Sequence, residues 1–105
     1  SLEQIQLAQH RGRELTHYLI SPAHRPPPIW RNASAQDAAA SLRDRFDGEH
    51  VQFVTPDWRI AGERASMTSA LKHSGKAGLP TTLRAELAWH DGMWLVDRVE
   101  TDGLP

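Results

Sequence analysis

Thr82-Leu83-Arg84-Ala85-Glu86-Leu87-Ala88-Trp89-His90 alternates apolar and polar side chains, Asp91-Gly92 follows, and Met93-Trp94-Leu95-Val96-Asp97-Arg98-Val99-Glu100 returns. A period of two marks a strand with one buried face, and Asp-Gly between two such runs is the strongest short-range signal for a β-hairpin. The stretch from Thr81 to Glu100 therefore predicts two antiparallel strands on a tight turn. It defines a fold element and names no chemistry.

A two-residue Asp91-Gly92 loop pairs His90 with Met93, Trp89 with Trp94 and Leu87 with Val96, an arrangement whose aromatic pair is worth about 0.2–1 kcal/mol. The same register sets Glu86 opposite Asp97. A three-residue bulged loop relieves that carboxylate clash by setting Leu87 opposite Leu95, but it faces Arg84 with Arg98. The two-residue loop is the preferred reading.

Working back from the hairpin, the period of two holds as far as His50. Val51 and Phe53, then Trp58 and Ile60, mark a first strand interrupted at Thr55-Pro56-Asp57, where proline implies a sheet edge or a bulge. Ala61-Gly62-Glu63 reads as a turn, Ala65, Met67 and Leu71 as a second strand, and Ser74 to Gly78 as a loose connection. Leu83 to Trp89 is the third strand.

Before His50 the period is helical. Leu2 to Ile20 places Leu2, Ile5, Ala8, Leu15, Tyr18 and Leu19 near one face, with Ser21-Pro22 as the stop. Gly12 inside this helix costs roughly 1 kcal/mol relative to Ala, which points to a close approach of another backbone. Residues 22–32, with Pro26-Pro27-Pro28 at the centre, read as a stiff extended connection that tucks Ile29 and Trp30 in. Ser34-Ala35-Gln36-Asp37 resembles a capping box with Ser34 as N-cap. Ala35, Ala38, Ala39, Leu42 and Phe46 form the apolar face of the second helix, and Asp47-Gly48 ends it. The order is α-α-β-β-β-β, an α+β domain of two N-terminal helices packed on a four-stranded antiparallel meander.

Length and composition agree with one domain spanning residues 1–105. Of the 105 residues 39% are hydrophobic and 24% charged, which is the balance of a globular chain. A net charge of -1 supplies no field for a nucleic-acid backbone or an anionic membrane, so neither is an expected partner. The sequence has no cysteine, which removes disulfides, thiolate catalysis and cysteine-based zinc sites. No run of 18 apolar residues is present, and no cleavable signal peptide is recognisable.

The stretch Ile60-Ala61-Gly62-Glu63-Arg64-Ala65-Ser66-Met67, followed by the closing hairpin Trp89-His90-Asp91-Gly92-Met93-Trp94-Leu95-Val96, resembles the NTF2-like superfamily, with cystatin-like domains sharing a similar outline. The resemblance covers most of the chain from Ala35 to Glu100, while the proline-rich connection departs from the family pattern. It implies small bacterial domains, a cone-shaped cavity between helices and sheet that could take a small apolar ligand, and frequent dimerisation through the outer sheet face. It does not imply catalysis, because the superfamily holds isomerases and dehydratases beside binding and assembly modules.

Six histidines invite a metal reading, yet His10 and His17 lie roughly 10 Å apart along a helix. Glu14-Leu15-Thr16-His17 matches the Glu-x-x-His element of di-metal bundles, but no second copy exists. No metal and no cofactor are expected. Acid-base chemistry of the superfamily type would use Tyr18 with Asp44 or His50, and Asp57 and His90 are further possible partners. None of these has a spacing diagnostic of catalysis. Trp30, Trp58, Trp89 and Trp94 are the expected ligand or partner surface wherever they are not core. The third and fourth strands carry apolar side chains on both faces, so the helices can cover only one of the pairs Trp94/Val96 and Met93/Leu95, and the other would be left as an apolar patch of the kind that marks an interface.

The expected function is accordingly a non-catalytic binding or assembly module. It would be the soluble domain of a larger or anchored bacterial protein, leaning extracytoplasmic, with a protein partner or self-association through the outer sheet face. The alternative is a small-molecule isomerase or dehydratase using Tyr18.

Overall fold

The computed structural model describes residues 2–20, 28–75 and 77–102. Its elements are α1 (Leu2–Ile20), α2 (Ala33–Arg45), β1 (Val51–Ala61), β2 (Arg64–His73), β3 (Thr82–His90) and β4 (Met93–Thr101). The four strands pair antiparallel in the order β1-β2-β3-β4, with both helices on one side: the expected α+β architecture. Helix α1 touches both outer strands, β1 and β4, so the sheet curls around it.

Helix α1 buries Ala8, Gly12, Leu15 and Leu19, one stripe at spacings of three and four. Extended towards the N-terminus, that stripe reaches Gln4, whose carbonyl accepts the Trp94 indole N–H at 3.0 Å. Leu2 and Ile5, expected on the apolar face, instead stand 71% and 38% exposed, because they fall off the stripe that meets the sheet. Gly12 makes its close approach to a side chain and not to a backbone. The indole of Trp58 lies directly over its Cα.

The cap of α2 is Asn32, two residues before the expected Ser34. Its Oδ1 accepts the Ala35 N–H at 2.8 Å while its Nδ2 donates to the Asp97 carbonyl at 3.2 Å, a tether to β4 that an exposed Ser34 lacks. Ala35, Ala39, Leu42 and Phe46 are buried as expected, and Ala38 is half-buried.

Ser21 to Pro27, which include the predicted helix stop and much of the proline connection, lie outside the described residues. The rest of that connection runs along the free edge of β4: the Arg31 N–H donates to the Val96 carbonyl at 2.8 Å and the Val96 N–H to the Ile29 carbonyl at 3.0 Å. Adjacent side chains of an extended segment point opposite ways. With Trp30 turned towards the core, Ile29 is 41% exposed and is not tucked in.

Strand β1 is an edge strand, and its register shifts between Val54 and Asp57. Thr55 there adopts φ 47, a left-handed conformation, beside Pro56. The bulge exchanges the parity of the inward positions, from Val51 and Phe53 to Trp58 and Ile60. Ser69, the buried polar residue of the core, turns its hydroxyl to this irregularity, 3.1 Å from the Val54 carbonyl and 2.9 Å from that of Ala70.

The closing hairpin has the two-residue loop, with His90 opposite Met93, Trp89 opposite Trp94 and Leu87 opposite Val96. Asp91 (φ 48) and Gly92 (φ 82) take the left-handed conformations that such a turn requires. The clash of Glu86 with Asp97 is avoided by a second bulge, which expels Asp97 from the ladder and sets Glu86 opposite Arg98 and Arg84 opposite Glu100. The displaced Asp97 carboxylate then meets Arg64 at 3.2 Å, Arg31 at 3.6 Å and the Asn32 side-chain amide at 3.3 Å.

Candidate functional site

The space between helices and sheet is filled by side chains. Leu15, Leu42, Met67, Leu83, Leu87, Trp94 and Val96 are each no more than 1% exposed and belong to one cluster. The groove beside this core opens between α1 and β1. It has a volume of about 270 Å³, with Gly12, Trp58, Met67 and Pro56 as an apolar floor and Gln9, Arg13 and Thr16 along the helix side.

The residues of the acid-base reading do not converge there. Tyr18 is half-buried, edge-on to Trp30 with ring centroids 5.6 Å apart, and the Arg43 guanidinium lies 4.8 Å from its ring centroid. Asp44, near the end of α2, and His50, just before β1, are exposed. Asp57 and His90 are exposed as well, Asp57 beside Arg59 at 3.6 Å and His90 beside Asp91 at 3.3 Å. On α1, Glu14 accepts two hydrogen bonds from Arg11, both at 2.9 Å, and lies 3.2 Å from His10. Among the described residues no three His, Asp or Glu side chains are grouped to hold a metal ion.

All four tryptophans pack on the core. Trp94 is 1% exposed, Trp89 stacks edge-on against it at 5.3 Å, Trp30 covers Tyr18, and Trp58 lies over Gly12 and also walls the groove. Each indole thus serves the helix side of the sheet.

The opposite face is different. Residues that pair across the strands form two successive rows: Asp57, Thr68, Arg84 and Glu100 in one, Arg59, Ser66, Glu86 and Arg98 in the next. Charges alternate along β1, β3 and β4, and again from β3 to β4. Asp57 and Arg59 are 3.6 Å apart, Arg84 and Glu86 3.5 Å, Arg98 and Glu100 2.6 Å. The β2 column, Ser66 and Thr68, is short and uncharged, and it floors a trough of about 490 Å³ walled by Asp57, Arg59 and Arg84. Beyond the rows, Arg64 pairs with Ala88 and Ala88 with Leu95 at one corner, where Met93 is 41% exposed. The charge rows are absent from the sequence-based candidates, although three opposite-charge pairs at a spacing of two, on three strands, announce them.

Near the loop after β2, the Asp102 carboxylate accepts the Thr81 hydroxyl at 2.6 Å and the N–H groups of Thr81 and Thr82 at 2.8 and 2.7 Å. These bonds, the Thr81 hydroxyl first and the Thr82 N–H next, hold its pKa far below the usual carboxylate range. The carboxylate acts as a clasp closing β3 onto the end of β4.

Comparison with known protein families, with curated proteins and with solved structures found no match.

Proposed function

We propose that this chain is a non-catalytic binding or assembly module of the NTF2-like or cystatin-like kind, whose working surface is the outer face of the sheet. The observation that carries the reading is the contrast between the two faces. The helix side is packed with apolar side chains, Tyr18 is engaged by Trp30 and Arg43, and Asp44 and His50 are exposed, so among the described residues Tyr18, Asp44 and His50 form no enclosed acid-base pair. The outer face, by contrast, carries an ordered pattern of charge. The curl of a four-stranded meander around α1 supports the superfamily affiliation.

In-cell photo-crosslinking tests this. A benzophenone side chain at Ser66 is expected to trap a protein, and one at Gln6, exposed on α1, is not. Trapping from Gln6 with none from Ser66 would remove the outer face from the reading.

A second reading rests on the groove beside Trp58, whose volume of about 270 Å³ falls just below the range of ligand pockets, about 300–1,000 Å³. It would admit a small apolar group. Saturable shifts of the Trp58 indole and Gly12 amide resonances on titration with indole would support it; unchanged resonances would end it.

A further inference from the structure

We infer that the outer sheet face holds a compact dianion, a single phosphate group, in a cradle of three arginines around Ser66. The inference rests on the assembly reading above for the working face and deepens it by naming the chemical group recognised there.

The cradle is a product of strand register. Arg59 of β1 lies directly opposite Ser66 of β2, and Arg84 of β3 stands one step along from Glu86, the residue opposite Ser66 on the other side. Directly opposed residues bring their Cβ atoms within about 4.5–5.5 Å, and diagonal ones come within about 7–8 Å. Arg64 completes the ring, two residues before Ser66 on the same face of β2. Three long cationic side chains thus rise around one short hydroxyl. With Ala61 as a second short residue, they wall a hollow of about 280 Å³, and Glu86 is the carboxylate among the lining residues. Arg59, Ser66 and Arg84 also border the trough over Thr68, so the two depressions meet at these three residues.

In this hollow the arginines exceed the carboxylate by two charges, the number that a phosphate monoester carries near neutral pH. Each guanidinium has five N–H donors, and the contacts that engage them are exposed: Arg59 lies 3.6 Å from Asp57, Arg84 3.5 Å from Glu86 and Arg64 3.2 Å from Asp97. Exposed ion pairs of this kind hold weakly. Phosphate oxygens accept two parallel N–H bonds from one guanidinium, a shorter and stronger arrangement that competes well with such contacts. The half-buried Ser66 hydroxyl supplies a further donor from the floor.

The acids around the cradle limit the size of what it takes. Asp57, Glu86 and Glu100 occupy neighbouring positions of the two rows, so phosphates strung along a polymer would meet a carboxylate on either side of the arginines. One phosphate fits where a chain of them is repelled. The site is open to solvent and its charges are screened, so the expected Kd is on the order of 1 mM.

The test is a titration of the chain with sodium phosphate at about pH 7.5, where the dianion prevails, with ionic strength held constant by sodium chloride. Saturable shifts of the Arg59, Ser66 and Arg84 amide resonances are expected. Arg59→Gln and Arg84→Gln should each weaken binding at least about fivefold, because each removes a charge-assisted pair. Glu86→Gln, which removes the repelling carboxylate, should tighten it about twofold or more. Arg98→Gln deletes the same charge from the same face but two strands away from Ser66, and should change binding less than about twofold. An amide spectrum unchanged on the helix side certifies the fold of each variant. Shifts that fail to saturate, shifts that chloride alone reproduces, or a loss at Arg98 as large as that at Arg59 would overturn the inference. O-phosphoserine in place of sodium phosphate distinguishes the sources of the group: tighter binding assigns the cradle to an esterified phosphate, equal or weaker binding to the free ion. If neither binds while Ser66 crosslinks trap a protein, this inference fails and the assembly reading stands. If phosphate binds while crosslinks form from Gln6 alone, the cradle stands and the assembly reading fails.

Discussion

Trp58 occupies the space that a side chain at Gly12 would need. A Cβ built on Gly12 falls well inside van der Waals contact distance of the indole ring carbons Cζ2 and Cη2, so the contact between α1 and β1 depends on the smallest residue. Gly12→Ala gains about 1 kcal/mol of helix propensity but forces an overlap of the kind that costs about 1–3 kcal/mol or more. The expected result is a net loss of about 1–2 kcal/mol in urea unfolding. Trp58→Phe added to Gly12→Ala should recover part of it, and a stabilised Gly12→Ala would contradict the close contact.

Ser69 supplies the hydroxyl that meets the Val54 carbonyl at the β1 bulge. Ser69→Ala leaves that acceptor less well satisfied in a buried place, at about 1–2 kcal/mol. Amide exchange in β1 should quicken near Val54 and remain unchanged in β4. Equal acceleration in both strands would mean a global effect and no local role for the hydroxyl.

Asp97, expelled from the ladder, links β4 to Arg64, Arg31 and the α2 cap. Asp97→Ala is expected to cost about 1 kcal/mol at low salt and less at high salt, as partly exposed ion pairs are screened. A penalty that salt leaves unchanged would assign the effect to the bulge backbone instead.

The Asp102 clasp carries a pH dependence of definite sign. Its folded pKa is depressed by the Thr81 and Thr82 hydrogen bonds, so its stabilisation is fully present above the unfolded value of about 3.9 and drains away as pH falls towards the folded value. Because the group is exposed, the effect is expected to stay at or below about 1 kcal/mol. Asp102→Asn should be less stable than the unaltered chain at pH 6, with the gap closing as pH drops below about 4. A gap that widens on acidification would reverse the assignment.

Periodicity made the architecture readable because each element buries one face, and the side chains that do so recur at 3.6 or 2. The β1 bulge was legible for the same reason: Val51 and Phe53 are odd, Trp58 and Ile60 even, and Pro56 stands between them. An identical change of parity, Trp94 and Val96 then Val99, encodes the second bulge, but no proline marks it. The cap at Asn32 and the exposure of Leu2, Ile5 and Ile29 depended on contacts with β4 and on where the sheet ends, which are tertiary facts. Each opposite-charge pair at a spacing of two is ordinary by itself, and only the register between strands aligns the pairs into rows.

The two borders of the sheet are finished in different ways: residues 29–31 lie along β4, while β1 is left open but broken by Pro56 and the left-handed Thr55. An intact border invites strands from neighbouring molecules to add on without limit, the first step towards fibres. A proline there withholds a donor, and the twist at Thr55 spoils the straight run that a newcomer would copy. Crowded copies of this chain are thereby steered away from ribbon-like growth by strand addition at either border.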